Sequence, residues 1–300
     1  MFTSLLIDKI NAYDPYRIHY CNGLRAVFAL FSLFCIQYFY GVNDPYFYFF
    51  YIPITCLSLE ILGESSLEKT KIYLHSVSWS ALGVFVFCLS AHHPLLELVV
   101  VFGFSILVYY VFIKHYQYPL VSSATILSLG AYGLNYENLD FYMACNHFGV
   151  TLFAGFVIAG VLTLFPQKVY IQIWYRLVNH SLLLACELLN SESPKDKAMQ
   201  IFNLFPLQLR YARMFRKKQI GLLKTTLALH TFIEHCVAMK IYPDYFAENQ
   251  TSIQKNLIYL SYHVQQHSPC LLELFSQSNM TEIMLYKVAK DWNGLCTTYF

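Results

Sequence analysis

Six stretches in the first 166 residues are long and apolar enough to cross a membrane as helices, near 23–40, 45–62, 72–90, 95–113, 118–134 and 147–165. A hydrocarbon core is roughly 30 Å thick, and a helix rising about 1.5 Å per residue spans it with about 20 apolar residues. No single soluble core accommodates so many such runs. Composition agrees: 57% of the chain is hydrophobic and 13% charged, against about 45–50% and about 25% in soluble chains. So much apolar matter excludes a disordered chain, and a net charge of +2 argues against a nucleic-acid binder. The expected fold is all-α: six transmembrane helices followed by a helical cytoplasmic domain.

Punctuation and charge refine this plan. Pro45, Pro94 and Pro119 stand at the starts of runs, where a missing N–H costs little, and Gly63 and Pro166 mark ends. Pro53 falls inside the second run and predicts a kink. Residues 1–166 carry 6 Lys/Arg and 9 Asp/Glu, whereas 167–300 carry 14 and 9. The expected division is an N-terminal segment 1–22, a membrane domain 23–166 and a tail domain 167–300. Lys9, Arg17 and Arg25 precede or open the first run, Lys69 and Lys71 follow the second, and Lys114 follows the fourth. The alternate connections 41–44, 91–94 and 135–146 hold no Lys or Arg. The positive-inside rule then puts both termini in the cytoplasm. Charges and Pro15 within residues 1–22 argue against a cleavable leader. The nine cysteines form no CxxC pair and no zinc-spaced cluster, so they read as small buried hydrophobes and no metal is expected.

Ionisable residues in or beside apolar spans are candidate sites, because burying a charge there is costly. Arg25 opens the first span and Glu60 lies near the same depth on the second, so the two can pair, or each can snorkel to the interface. His75 in the third span and His147 at the opening of the sixth can gain or lose a proton near neutral pH. Trp79 follows His75 by four residues, on the same helix face. These residues either line a pathway or fill helix interfaces. Tyr38, Tyr40, Tyr46, Tyr48 and Tyr51 gather at the expected outer rim of the first two spans, as an interfacial aromatic belt or as a stacking surface for a flat substrate.

Beyond residue 167 the pattern turns to amphipathic helices near 168–190, 195–219, 221–241, 250–267 and 279–291. From Lys197 up to Glu234 there are seven basic residues and no acidic one. Arg210, Arg213 and Lys217 share a helix face by spacing. That face is either solvated, or turned to an anionic leaflet, or an attractor for anionic substrates. No phosphate loop, nucleophile elbow or metalloprotease motif occurs, so neither an enzyme nor a cofactor is expected.

The order of several segments resembles the fusaric-acid-resistance and aromatic-acid-exporter family of bacterial inner-membrane proteins, with a more distant similarity to plant malate channels. The segments are RIHYCNGLRAVFAL (17–30), NDPYFYFFYIPITCLSLEILGESSLEKTK (43–71), SALG (80–83) and TLFAGFVIAGVLTLFP (151–166). The resemblance implies an inner-membrane efflux transporter of small organic acids, aromatic carboxylates above all, driven by the proton gradient. It departs where the family has glycines in the third span, here His75 and Trp79, and where many members carry an Arg before the Thr of the sixth span, here His147. Relatives with two tandem units imply that this single unit forms a homodimer, and the small residues Ala154, Gly155, Ala159 and Gly160 offer a face for it. A passive anion channel and a non-transporting scaffold or accessory subunit remain the other readings.

Overall fold

The computed structural model describes residues 13–42, 46–58, 66–91, 93–116, 140–166, 168–190, 194–214, 219–241, 250–275 and 279–299. The described residues are helical throughout, with no strand among them. They fall into two compact units, one of residues 18–63 and 67–166, the other of 1–17, 64–66 and 167–300.

The apolar unit contains α1 (Ile18–Tyr40), α2 (Phe47–Ser58), α3 (Ser66–Ser90), α4 (Pro94–Tyr116) and α5 (Phe141–Leu164). Four of these, α1, α3, α4 and α5, are long and apolar enough to cross a membrane. Helix α2 has 12 described residues, about 18 Å of rise. The expected span at 118–134 lies outside the described residues.

Local chemistry sets the helix ends. Helix α4 begins at Pro94 with Glu97 in its first turn and ends on Lys114 and His115, which matches the helix dipole at both ends. Helix α5 is capped by Asp140, whose carboxylate accepts from the Phe141 N–H at 2.8 Å. It therefore starts six residues before His147, which lies well inside the helix and not at its opening.

The core of this unit joins Leu33 of α1, Phe49 and Ile52 of α2, Ile72 and Phe87 of α3, Val108 and Phe112 of α4, and Ala154 and Ile158 of α5. The opposite faces stay apolar while uncovered: Phe31 is 64% exposed, Phe102 63% and Ile106 67%. Water penalises such surfaces and hydrocarbon does not. Gly155 is where two helices meet, since a Cβ built there would fall on the Val77 side chain of α3, while one on Gly160 meets nothing. The stripe of small residues expected to form a dimer face is thus divided, with Ala154 and Gly155 buried within one chain and Gly160 exposed.

The polar unit is a bundle of α6 (Lys168–Asn190), α7 (Pro194–Arg213), α8 (Gln219–Ile241), α9 (Gln250–Gln265) and α10 (Met280–Tyr299). Helix α6 packs against α7, α8 and α9, and α10 packs against α8 and α9. Along α6, Ile173, Trp174, Leu177, Val178, Ser181, Ala185 and Leu188 are buried at helical spacing. Three hydrogen bonds fix its register. Trp174 Nε1 donates to Thr226 Oγ1 of α8 at 3.0 Å, and Gln208 of α7 donates to the Leu177 carbonyl at 3.1 Å and to Ser181 Oγ at 2.6 Å. The segment from Tyr13 to Arg17, just before α1, belongs with this bundle. Tyr16 holds it to this bundle, its hydroxyl 2.7 Å from His180 Nδ1, and the division between units falls between Arg17 and Ile18.

Candidate functional site

The buried face of α3 is the place where polar groups enter the apolar unit. Tyr73, Ser76 and Ser80 follow one another at i, i+3 and i+7 and are each fully buried. Cys56 of α2 faces them, its Sγ 3.4 Å from Ser80 Oγ, and the Ser76 hydroxyl also reaches the thiol. Tyr73 carries its hydroxyl into the same interface with no hydrogen-bond partner among the described residues. One turn before Tyr73 lies Lys69, 5% exposed, and the Arg25 guanidinium is within electrostatic reach of the Tyr73 hydroxyl. From Lys69 to Ser80 this seam extends eleven residues, about 16 Å along the helix.

Helix α2 carries the line of polar contacts further. Seven residues before Cys56, about 10 Å away, Phe49 stacks on the ring of His147 with centroids 3.7 Å apart. His147 is 1% exposed. The Tyr46 ring lies 5.5 Å from it, and the His147 carbonyl accepts from Thr151 Oγ1 at 2.8 Å. Near the same end Tyr51 donates to Gln37 Oε1 at 2.6 Å, which ties α2 to α1. Part of the expected aromatic rim therefore works as packing: Tyr46 covers a histidine and Tyr51 joins two helices. Tyr38, Tyr40 and Tyr48 stay exposed.

The structure divides the residues that the sequence singled out. His147 is buried against aromatic rings, and Arg25, partly exposed, stands by Tyr73. His75 is exposed on α3, and Trp79 packs on Phe104 of α4 with centroids 5.9 Å apart. Both point away from the seam because the buried face of α3 is set by Tyr73, Ser76, Val77 and Ser80. Glu60 lies outside the described residues, and so does its expected pairing with Arg25. The basic face of the tail is also altered. Helix α7 ends at Arg213 and not near 219, Arg210 is partly buried, and Lys217 lies outside the described residues. Sequence reading missed the seam because Tyr, Ser and Cys are unremarkable in an apolar run. The signal was present in the spacing Tyr73-x-x-Ser76-x-x-x-Ser80.

Chemically, a row of hydroxyls and a thiol with cationic groups at one end suits an oxyanion better than a cation, because hydroxyl donors and ammonium or guanidinium groups all complement negative charge. Comparison with protein-family models, curated proteins and solved structures finds no match for this chain. Fold and site together define an all-helical protein whose four long apolar helices are consistent with a membrane protein. Its apolar unit holds a buried polar seam along α3.

Proposed function

We propose that this chain is a multi-pass membrane transporter that exports small organic anions, aromatic carboxylates above all, from the cytoplasm. The observation that carries this reading is the seam itself. Hydroxyl groups are buried along one face of α3, against the Cys56 thiol of α2, in a unit that leaves apolar faces uncovered, with Lys69 and Arg25 at one end. Intramembrane polar groups are costly, and their usual use is to line a path for a polar cargo. The six apolar runs, with basic residues confined to alternate connections, support a topology with both termini in the cytoplasm. The motif order at 17–30, 43–71, 80–83 and 151–166 supports aromatic acids as cargo, the proton gradient as driving force, the bacterial inner membrane as location and a homodimer as the working form.

The test is flux through the purified, full-length protein in proteoliposomes. Labelled hydroxybenzoate should accumulate in vesicles with an acidic lumen, where protons leave as the anion enters and passive weak-acid partition runs the other way, and collapse of the pH gradient should stop accumulation. Flux that persists unchanged after collapse replaces the exporter by a passive channel. No flux of any organic anion above protein-free vesicles overturns transport and leaves a scaffold.

A further inference from the structure

The polar unit holds a second candidate site. A cavity of about 460 Å³ opens between α6 and the segments at its two flanks, lined by Arg17, Gln172, Tyr175, Arg176, Asn179 and His267 among others. Gln172, Tyr175, Arg176 and Asn179 come from one face of α6 at i, i+3, i+4 and i+7. Two guanidiniums face the same space. Arg176 is held below the ordinary arginine range, first by burial and then by the Arg17 charge, with the Asp14 carboxylate opposing both. Asp14 is buried at 5% exposure, so two guanidiniums and one carboxylate leave a single net positive charge.

Two of the lining residues, Arg17 and His267, adopt a backbone conformation that favours glycine. Only two non-glycine residues among those described have positive φ, Arg17 at 60° and His267 at 54°, and both line this cavity. Glycine would adopt that conformation with no steric penalty. Each position is also clamped. The Arg17 N–H bonds the Asp14 carbonyl at 3.0 Å, and neighbouring Tyr16 bonds His180. His267 ends α9 in a Schellman turn, with Ser268 N bonded to the His263 carbonyl at 3.0 Å and His267 N to the Val264 carbonyl at 3.3 Å. Trp292 Nε1 holds the Ser268 carbonyl at 2.9 Å, and the His267 ring lies 4.4 Å from Tyr175. The backbone at Arg17 and His267 is therefore held before any ligand arrives.

We propose that this cavity binds the phosphate of an anionic phospholipid, with Arg17 and Arg176 gripping the phosphodiester and the Gln172 and Asn179 amides placed to donate to its ester or headgroup oxygens. Guanidinium forks match phosphate geometry, and one net positive charge matches a phosphodiester monoanion. A lipid is the occupant because Arg17 is bonded directly to Ile18, the first residue of the apolar helix α1, so one guanidinium of the cavity stands in sequence at the entry of a helix long and apolar enough to cross a membrane. This step rests on α1 entering a membrane, and recovery of the chain in the membrane fraction of cells checks that premise separately.

Native mass spectrometry of the detergent-purified full chain, titrated with phosphatidylglycerol or phosphatidylcholine, tests the site. The wild type should prefer phosphatidylglycerol by about tenfold, and Arg17→Gly or Arg176→Lys should abolish most of that preference. Arg17→Gly relieves the backbone while removing the guanidinium, so it should fold at least as well as the wild type. Arg176→Lys keeps the charge and removes the fork. Lys255→Gln, on the exposed surface of α9, should bind as the wild type does. Equal binding of both lipids overturns the proposal. So does a loss in Lys255→Gln as large as in the Arg variants, which would mark general surface charge. Displacement of the lipid by millimolar inorganic phosphate would overturn the lipid as occupant.

Discussion

Replacing Tyr73 by Phe separates packing from function in the seam. The side chain is fully buried, and its hydroxyl has no hydrogen-bond partner among the described residues. The phenyl ring fills the same space, so the apolar contacts with the core survive. A buried polar group left unbonded costs about 1–3 kcal/mol, and Phe removes that cost without opening a cavity. In a bilayer or micelle the unfolded chain also finds partners for its hydroxyls, which draws the expected gain toward the lower end, about 1 kcal/mol. For a unit of 150 to 250 residues that corresponds to roughly 2–4 °C in Tm. The assay is thermal unfolding of the detergent-solubilised full chain, followed by intrinsic fluorescence and by loss of monodisperse protein. Flux in proteoliposomes is measured on the same preparation. Tyr73→Phe should melt higher than the wild type and transport less, because a hydroxyl kept buried at a net cost to stability is serving the cargo. A variant that melts lower refutes the reasoning on stability, since it would mean that the hydroxyl is bonded in the folded protein. One that melts higher and transports normally takes Tyr73 out of the path.

Three further substitutions follow from the packing. Gly155→Leu should abolish recovery of monodisperse protein, because its side chain would overlap Val77, whereas Gly160→Leu should leave recovery unchanged. Size-exclusion chromatography reads both. A tolerated Gly155→Leu would refute the close approach of α3 and α5. Gln208→Leu removes the donor to the Leu177 carbonyl and to Ser181 Oγ, at a cost of about 1–3 kcal/mol, seen as a lowered denaturation midpoint of the polar unit. That unit should also weaken in acid. Burial holds His180 and His267 below the ordinary histidine range, so above about pH 6.5 both are neutral in the folded and unfolded chain alike. As the pH falls through that value the unfolded chain binds protons that the folded one refuses, and stability drops. The combined variant His180→Gln, His267→Asn should flatten the fall between pH 7.5 and pH 5.5 in denaturant titrations. An equally steep fall would assign it to other groups.

The apolar runs at 23–40, 72–90, 95–113 and 147–165 were legible because length and hydropathy are properties of a segment alone. The helices that form there start up to six residues earlier, since the ends depend on caps such as Asp140 and on turns such as that of Arg17, which no hydropathy count registers. The amphipathic pattern after residue 167 was legible for the same reason, and Trp174, Leu177 and Ser181 fall on the buried face that the 3.6-residue period implies. The sites were less legible. Reading for ionisable residues selected His75, and with it Trp79 on the same face, but which flank of an apolar helix turns inward depends on its neighbours. Where nearly every position is apolar, the sequence offers no contrast between the two flanks. Contact with Cys56 and Gly155 turned Tyr73, Ser76 and Ser80 to the inside.

Segment length, hydropathy and charge order therefore belong to the sequence by itself, because each is a sum over neighbouring residues. The seam at Tyr73, the enclosure of His147 by Phe49 and Tyr46, and the meeting of Arg17 with Arg176 across 159 positions belong to the tertiary structure. Each depends on which helix faces come together, and that is settled by close packing at points such as Gly155 and by a few long-range hydrogen bonds such as that of Tyr16 to His180.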